Sequence, residues 1–464
     1  MTATRQRPAL LFRQRPSFLS LPRRSFLSLL TGSAVAILLL AACRAPAAET
    51  AAGQLQWYKG STHAHSFWSD GDDFPEMVVD WYKAHGYQFF ALSDHDTLMR
   101  GQRWRDVHDK EKPIPLDAIE KCRKRFGDAW VETRGEGDKL QVRLKTLREI
   151  RAKLEEPGKF ILIQNEEISA KCGDNHVHIN AVNLAEAIKP QKAATVVETL
   201  RVNLQAVQEQ SRRLGRPILA HVNHPNWEWY DISAEELAEA VEARFFEVCN
   251  ASPSTNRLGD AQHPSTDRLW DIANTLRIAQ MKRAPLYGIA SDDTHNYHAF
   301  GPEQANPGRG WIMVRAKGLS AGAILEAMER GDFYGSTGVL LRDVRYDRKG
   351  GTLSVEVEPQ PGAQYTIEFY GTLTGYDAKT ELVAVADKKG KPLPPVRRYS
   401  ADVGKLLLSV QGTRATYKLT GKELYVRAAV RSSLRMPNPA KGEGQFQEAW
   451  CQPVGWGKGR GGRG

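Results

Sequence analysis

The sequence has few cysteines and none of the spacings by which cysteines hold structural zinc. Only five of its 464 residues are cysteines, and no two of them form a CxxC pair. A cysteine zinc site is therefore not expected. The four cysteines after residue 43 allow three disulfide pairings, and the sequence does not select one. A GxSxG motif and a catalytic Cys–His signature are also missing, which argues against a serine or cysteine nucleophile.

A strongly basic surface is missing as well, although the formal net charge is +10. Six arginines precede residue 43, where there is no Asp or Glu, and without them the charge falls to +4. The remaining charges form no basic face of the kind that binds nucleic acid, so no nucleic-acid partner is predicted. The segment 454–464 combines glycines with three basic residues and is predicted to be a flexible tail.

The apolar run near the N-terminus, 34–42, is too short to span a bilayer, which takes ~20 residues. Instead, residues 1–42 have the layout of a cleaved bacterial export signal. The segment around Arg23 and Arg24 resembles a twin-arginine export motif, and residues 40–43 resemble a lipobox. That resemblance predicts a lipid on Cys43, a linker over 43–53, and attachment to a bacterial membrane facing the periplasm or the cell exterior.

From residue 54 onward, short apolar runs alternate with amphipathic helical patterns, which indicates parallel strands joined by helices. One helical stripe is predicted to end at Gly215, and Ser233 and Glu236 are predicted to form a capping box. Together these units predict an α/β barrel over 54–335. The charged segment 100–157 is predicted to be a helical insertion with a helix over 139–154, placed as a lid over the pocket.

The pattern changes after residue 340, where apolar and polar residues alternate between turns rich in glycine and proline. This alternation predicts an antiparallel, sandwich-like β domain over 340–453. No catalytic constellation is present in it. Packing support for the barrel is its predicted role, with sugar or cell-wall binding as the alternative.

Histidines and carboxylates follow the predicted strands, where a barrel would present them to one pocket. Neutral imidazole and ionised carboxylate are the usual ligands of zinc, manganese and iron. In chain order the motifs are His63-Ala64-His65, Asp70, Asp94-His95-Asp96, Glu167-Ile168-Ser169, Val177-His178-Ile179, Asn223-His224-Pro225 and Asp293-Thr294-His295.

In this order the motifs resemble those of the PHP (polymerase and histidinol phosphatase) superfamily of metal-dependent hydrolases, over about 57–300. The resemblance implies a distorted (β/α)7 TIM-like barrel, followed in this chain by the smaller antiparallel β-sandwich-like domain. It also implies two or three divalent metal ions (Zn, Mn or Fe). The Asn-His-Pro and Asp-Thr-His motifs, with 333–338 ahead of the β domain, are similar to the CehA/McbA-like branch, which is associated with ester hydrolysis beyond phosphate.

The resemblance assigns nine ligands to three metals. The first metal would take His63, His65, Glu167 and Asp293, the second would share Glu167 and add His178 and His224, and the third would take Asp70, His95 and His295. Glu167, Asp293 and His295 are also the predicted catalytic residues.

Two of these assignments have alternatives nearby. His221 competes with His224, which is favoured because Pro225 follows it, and His176 competes with His178. Glu166 and Asp292 lie one residue from predicted ligands and should point to the other side of their strands.

Three further residues are predicted to lie around the ligands without binding metal. Asp94 and Asp96 are expected to orient His95, and Glu247 is expected near the pocket. Arg309 is predicted to be an exposed turn arginine, with a phosphate clamp as the alternative.

The predicted function is that of a metal-dependent phosphoesterase, which hydrolyses a small-molecule phosphate ester with a metal-activated hydroxide. One alternative is a carboxyl- or carbamate-ester hydrolase that uses the same site. The other is a non-catalytic surface lipoprotein that binds metal or glycan. The residues leave the natural substrate, the metal and the oligomeric state open.

Overall fold

The computed structural model describes residues 55–227, 230–386, 392–441 and 444–457, which belong to one compact unit. The predicted export signal 1–42, the lipobox with Cys43, the linker 43–53 and residues 458–464 of the predicted tail lie outside the described residues. In the described ranges no helix is long and apolar enough to cross a membrane. The cysteines at 122, 172 and 451 are free thiols.

Strands and helices alternate in the first part of the chain, and strands alone fill the last part. In chain order they are β1 (Gln56–Ser61), α1 (Pro75–Ala84), β2 (Phe89–Phe90), β3 (Arg103–Asp106), α2 (Leu116–Phe126), β4 (Thr133–Arg134), β5 (Gln141–Leu144), α3 (Leu147–Leu154), β6 (Ile161–Leu162), β7 (Asn165–Cys172), β8 (Asn175–Val182), α4 (Val196–Leu214), β9 (Leu219–Val222), α5 (Ala234–Glu239), β10 (Phe245–Asn250), α6 (Thr266–Thr275), β11 (Tyr287–Ser291), β12 (Trp311–Ala316), α7 (Ala321–Glu329), β13 (Phe333–Ser336), β14 (Leu341–Asp347), β15 (Thr352–Val357), β16 (Tyr365–Leu373), β17 (Thr380–Ala386), β18 (Pro392–Tyr399), β19 (Lys405–Gln411), β20 (Arg414–Lys418), β21 (Glu423–Arg435) and β22 (Phe446–Cys451).

Local sequence signals set several helix ends. Gly215 follows α4 in the left-handed conformation, at φ 59°, which glycine adopts without a steric cost. The Ser233 side chain accepts from the Glu236 N–H, and the Glu236 side chain accepts from the Ser233 N–H, so α5 begins with the predicted capping box. Both predictions are confirmed.

A five-stranded sheet has the order β11-β10-β9-β8-β7. Strands β9, β10 and β11 are parallel, as predicted, but β8 is antiparallel to both of its neighbours. The prediction of parallel strands is therefore wrong at β8. Only Gly173 and Asp174 separate β7 from β8, and so short a connection can form a hairpin but no crossover. The mixed α/β class itself is confirmed.

A nine-stranded sheet has the order β19-β16-β21-β22-β13-β12-β1-β2-β6 and runs from the predicted barrel into the predicted β domain. Its strands β1, β2 and β6 are parallel, and the remaining pairs are antiparallel. Two isolated bridges, Ala64–Thr294 and His95–Glu167, join this sheet to the five-stranded one. The strand-end motifs lie at these bridges, so the two sheets bring them together.

The insertion 100–157 contains the antiparallel sheet β3-β5-β4 in addition to α2 and α3. The predicted helix over 139–154 is wrong in its first half, where Val142 and Leu144 point inward at the alternate positions of strand β5. Helix α3 begins at Leu147 because Thr146 and Glu149 cap it in a second capping box. The insertion buries its own apolar residues and contains a sheet, so it is not the purely helical insertion that was predicted.

The antiparallel strands predicted for 340–453 are present. The sheet β14-β15-β20 packs on β16 and β21 across an apolar core that includes Val355, Ile367 and Val430. Strands β17 and β18 form a separate two-stranded hairpin. This part of the chain contacts α6, where the Thr275 and Thr372 hydroxyls lie 2.6 Å apart. The exact domain boundaries stay predictions.

Candidate metal centre

The nine predicted ligands lie within or just after strands whose ends meet. His63 and His65 follow β1, His95 follows β2, and Glu167 and His178 lie within β7 and β8. His224 comes after β9, and Asp70, Asp293 and His295 complete the set from the loops that follow β1 and β11.

The backbone turns sharply at two of these positions. His224 and Asp293 have positive φ angles of 22° and 50°, as does Asp96 at 51°. Such angles are uncommon for residues other than glycine and cost about 1–3 kcal/mol, so they persist where the surroundings enforce them and are concentrated at functional sites. At this strand end, they turn the imidazole of His224 and the carboxylate of Asp293 toward the other predicted ligands.

The structure brings all nine predicted ligands together. Their nitrogen and oxygen atoms form four overlapping groups, within each of which all atoms lie within 4.8 Å of one another. The groups are His65, Asp70, His95 and His295; His63, His224 and Asp293; His63, His65 and Glu167; and His95, Glu167 and His178. Metal binding by these residues stays a prediction.

Glu167 lies at the centre of the cluster, and five histidines contact its two oxygens. Oε2 lies 3.4, 3.2 and 3.1 Å from nitrogens of His63, His65 and His95, and Oε1 lies 3.0 and 3.4 Å from nitrogens of His178 and His224. The Asn223 side chain also donates to Oε1 at 2.7 Å. Glu167 therefore has the position expected of a carboxylate that bridges two cations.

Two further carboxylates approach the same histidines from either side. Asp293 Oδ1 lies 3.0 Å from His63 Nε2 and 3.2 Å from His65 Nε2. Asp70 Oδ1 lies 3.3 Å from His295 Nε2 and 3.5 Å from His65 Nδ1, and its Oδ2 lies 3.5 Å from His95 Nε2. His65 therefore lies between the two carboxylates. Its ring stacks on that of His295, with 4.1 Å between ring centroids.

The grouping differs in detail from the assignment that the resemblance implied. His65 joins Asp70, His95 and His295, and His224 joins His63 and Asp293. The four groups overlap, and neighbouring sites would share His63, His65 and His95 as well as Glu167.

The geometry favours His224 and His178 over their neighbours. His221 is fully buried, with Nε2 3.1 Å from the Thr62 hydroxyl, and it belongs to none of the four groups formed by the described residues. His176 points away from the cluster and pairs with Asp231 at 3.1 Å. Both are neighbours of the cluster rather than members of it.

Two side chains that support the ligands were missed or only partly anticipated. The His63 Nδ1–H donates to Glu247 Oε1 at 2.7 Å, while Glu247 Oε2 accepts from the His224 main-chain N–H. His95 Nδ1 lies 2.6 Å from Ser169 Oγ. Ser169 stands in the Glu-Ile-Ser motif, two residues after Glu167 on the same side of its strand, which is the signal that could have identified it.

The predicted roles of Asp94 and Asp96 need correction. Asp94 accepts from the hydroxyls of Ser66 and Ser69, so it fixes the loop after β1 and does not orient His95. Asp96 accepts from the Ser169 N–H at 2.8 Å and reaches His95 only through that residue. Asp94, His95 and Asp96 lie in the segment after β2, where only His95 forms a bridge and Asp96 has a positive φ, so the three side chains take different directions.

Glu166 and Asp292 point away from the cluster, as predicted. Glu166 accepts from the Ile188 N–H, and burial raises its pKa to about 7. Asp292 accepts from the Tyr82 hydroxyl and from the N–H groups of Gly308 and Gly310.

The prediction that Arg309 is an exposed turn arginine is wrong. Its side chain is 1% exposed and donates to several main-chain carbonyls, including those of Gly301 and Asn438. The loop around it folds back over the guanidinium, so Arg309 holds this loop together and does not point at the cluster.

Burial and charge oppose each other within the cluster. Burial lowers the pKa of His63 and His65, but the carboxylates of Asp293 and Glu167 outweigh it, raising the pKa of His63 well above its ordinary value and that of His65 to about 10. Burial raises the pKa of Glu167, but the surrounding histidines outweigh it and hold that pKa well below its usual range. The carboxylates are therefore ionised at neutral pH, as metal ligands must be.

Several buried polar atoms at the centre of the cluster lack an aligned hydrogen bond, as the ligands of a cation would. His63 Nε2, His65 Nε2 and Asp70 Oδ1 are buried and make no well-aligned hydrogen bond in the described part of the chain, although oppositely charged atoms lie within 3.5 Å. Buried polar atoms are normally hydrogen-bonded. A metal ion could lie among nitrogen and oxygen atoms grouped in this way and would displace the imidazole protons on binding, and a set of imidazoles and carboxylates fits Zn, Mn or Fe.

Comparison with known proteins gives no match to a family model and none to a curated protein. The chain is similar to a solved two-domain protein from Bacteroides vulgatus that contains a predicted PHP-like metal-dependent phosphoesterase, with 15% identity, a TM-score of 0.37, and coverage of 86% of this chain and 95% of that chain. It is also similar to a proposed metal-dependent phosphoesterase from Bifidobacterium adolescentis, with 13% identity, a TM-score of 0.26, and coverage of 51% of this chain and 87% of that chain.

The description of the first structure agrees with the superfamily that the strand-end motifs resemble. Neither description names the CehA/McbA-like branch, so that finer resemblance stays a prediction. With so few identical residues and such low TM-scores, we base the function on the geometry of the cluster alone.

Proposed function

We propose that the protein is a metal-dependent phosphoesterase. The observation that carries the proposal is the position of Glu167, whose two oxygens contact nitrogens of five histidines while Asp70 and Asp293 flank the same rings. So many ionisable groups buried at one strand end would be costly for stability alone. They are the expected surroundings of two or three divalent cations.

When bound, divalent metal ions lower the pKa of a water molecule and offset the charge on phosphoryl oxygens. The chain supplies the ligands and limits the access of bulk water to them. The exposed fraction is at most 3% for the side chains of His63, His65, Glu167 and Asp293. Asp70, His95 and His295 are 22–28% exposed, so the cluster opens to solvent on their side. A substrate would enter from that side.

We assign proton transfer to His295. Its Nδ1–H donates to the main-chain oxygen of Asp293 at 2.9 Å, which fixes the ring. Its Nε2 lies 3.3 Å from Asp70 Oδ1 at the open side of the cluster. When the inner groups alone hold metal, Nε2 of an imidazole held in this way can accept a proton from the attacking water and release it to solvent, whereas a third metal bound by Asp70, His95 and His295 would occupy that nitrogen.

The test is a metal analysis combined with an ester panel. The purified chain, loaded in turn with Zn, Mn and Fe, is assayed with 4-nitrophenyl phosphate, bis(4-nitrophenyl) phosphate and 4-nitrophenyl acetate. Metal-dependent hydrolysis of either phosphate ester is the expected result. Hydrolysis of the acetate alone would favour the carboxyl- or carbamate-ester alternative, and metal binding without turnover would favour the non-catalytic one.

The finer fold and the localisation belong to the same proposal. The parallel strands on either side of the Ala64–Thr294 and His95–Glu167 bridges support a distorted (β/α)7 TIM-like barrel. We also propose that the chain is exported and held at a bacterial membrane by a lipid on Cys43, so that it meets small-molecule esters outside the cytoplasm. Mass spectrometry of the N-terminus in the native host tests this, and an unprocessed N-terminus would contradict it.

A further inference from the structure

We propose that a cavity beside the metal centre, closed on one side by the β17–β18 hairpin, binds the uncharged, apolar alcohol part of the ester. The inference rests on the proposed phosphoesterase function, because it names the class of substrate that the site would select. It also gives the C-terminal β region a role in substrate binding beyond packing support.

The cavity has a volume of about 610 Å³ and adjoins the candidate ligands through two aromatic rings. The ring of Trp227 lies 4.8 Å from that of His224, and the ring of His176 lies 5.4 Å from that of His178, between centroids. Trp227 and His176 both line the cavity. The candidate ligands do not themselves line the cavity, so the alcohol part of an ester held at the metal centre would enter this space past the rings of His178 and His224.

The opposite wall comes from a distant part of the chain. Leu382 and Val385 of β17 and Leu393 of β18 line the cavity, and the hairpin they form pairs with no other strand in the described ranges. An isolated two-stranded hairpin is marginally stable in water, so its position depends on contacts with the rest of the protein.

Polar contacts hold the hairpin against α5 and α6. The Tyr399 hydroxyl donates to Glu235 Oε1 at 2.6 Å, and the Arg268 guanidinium donates to the main-chain oxygens of Tyr399 and Ser400 at 3.2 and 2.6 Å. The hairpin is thus fixed at its C-terminal end, and Leu382 and Leu393 lie further along it.

The lining favours an uncharged group. Of its charged residues, Asp231 pairs with His176, Arg397 lies 3.6 Å from Glu235, Glu236 belongs to the capping box of α5, and Asp174 is exposed. Two of the carboxylates therefore have a charged partner within the wall, and apolar side chains such as Leu382, Val385 and Leu393 cover part of the rest. Leu382 is 59% exposed, so its side chain is accessible to a ligand in the cavity.

The volume suits an alcohol larger than a single methyl group, because ligand sites commonly measure about 300–1,000 Å³. We therefore expect the enzyme to prefer an ester of a bulky aromatic alcohol over an ester of methanol. The probes are 4-phenylphenol, 4-phenylphenyl phosphate and methyl phosphate.

The experiment compares Leu382→Glu with Leu406→Glu. Leu406, on β19, is 49% exposed and does not line the cavity, so it provides a matched control. Calorimetry of the metal-free protein should show that Leu382→Glu weakens 4-phenylphenol binding about tenfold or more, since a charge replaces an apolar contact. The preference of the metal-loaded enzyme for 4-phenylphenyl over methyl phosphate should fall by a similar factor. Leu406→Glu should change neither.

A second variant, Leu393→Glu, keeps the test valid if Leu382→Glu fails to fold, and it should weaken 4-phenylphenol binding in the same way. If both cavity variants bind 4-phenylphenol as tightly as the wild-type protein, or if the wild-type protein does not bind it, the cavity proposal is wrong even when phosphate esters are hydrolysed. If the alcohol binds and the variants weaken it, the cavity proposal holds even when no ester is hydrolysed, and the phosphoesterase proposal alone fails.

Discussion

The metal centre and the contact between α6 and β21 both bury charge, but they satisfy it differently. At the α6–β21 contact, Arg427 Nε and Nη2 donate to the two oxygens of Asp271 at 2.8 and 2.7 Å, and the Tyr425 hydroxyl donates to Oδ1 at 2.7 Å. At the metal centre, the buried Nε2 atoms of His63 and His65 have no such aligned partner in the described part of the chain.

This difference separates a structural use of buried charge from a functional one. At the α6–β21 contact both Asp271 oxygens and two of the Arg427 nitrogens are hydrogen-bonded, and the third nitrogen, Nη1, lies 3.2 Å from Asp267 Oδ1, so charges within the chain match one another. The histidines and carboxylates at the strand ends lie close together without well-aligned hydrogen bonds at His63 Nε2 and His65 Nε2, which is the arrangement that the proposed metal ions would use. The four predictions that follow test this division, from the largest expected effect to the smallest.

Glu167→Gln should remove both metal binding and activity. The carboxylate contacts five histidines, and loss of its charge affects every neighbouring site at once. Even partners of ligands cost about 10–100-fold when removed, so we expect activity to fall to background. Elemental analysis and the phosphate-ester assay measure the two losses.

Glu166→Gln is the matched control, because this neighbouring glutamate points to the other side of β7 and contacts the Ile188 N–H. It should keep its metal and its activity. If both variants lost metal and activity equally, the losses would come from a disturbed β7 strand rather than from the missing Glu167 carboxylate.

Arg427→Met should destabilise the protein without changing metal content per folded molecule. Asp271 would stay buried without its partner, which typically costs about 3–5 kcal/mol. Urea unfolding measures the change in the free energy of unfolding, and metal analysis is done on the folded fraction. If the variant lost metal while its stability stayed unchanged, the Arg427–Asp271 pair would not have the purely structural role assigned to it.

Glu247→Gln should weaken metal binding while leaving the fold intact. Glu247 holds His63 through Nδ1 and His224 through its main-chain N–H, so the change loosens two ligands without removing either. Metal affinity should fall by about 10–100-fold, as measured by competition with a chelator. Unchanged affinity would show that these hydrogen bonds do not orient the ligands.

Glu76→Gln should reduce the pH dependence of stability slightly. Glu76 is buried in α1 away from the metal centre and accepts from Trp130 Nε1 at 2.9 Å, and burial raises its pKa. A raised pKa in the folded state favours the protonated form, so this contribution is complete below the ordinary pKa and is lost as the pH rises through the raised value. The wild-type melting temperature should therefore fall more than that of the variant between about pH 5 and about pH 8. Parallel melting curves would contradict it.

Much of the fold and of the candidate site follows from local sequence signals. The capping box at Ser233 and the helix end at Gly215 depend only on neighbouring residues, and both are present. The order of the apolar runs predicted the mixed α/β class. The strand direction at β8 and the short strand at Gln141–Leu144 were mispredicted, since periodicity over a few residues specifies neither a hairpin nor its partner.

The sequence by itself determined which kinds of ligand follow the strands and in what order, because a motif such as His63-Ala64-His65 is local. Only the tertiary structure decided that His224 and His178 point into the cluster while His221 and His176 do not. Partners far apart in the chain were decided in the same way, as with His63 and Glu247, which are 184 residues apart. The physical reason is that sheet order and backbone turns, rather than spacing along the chain, determine which side chains share a space.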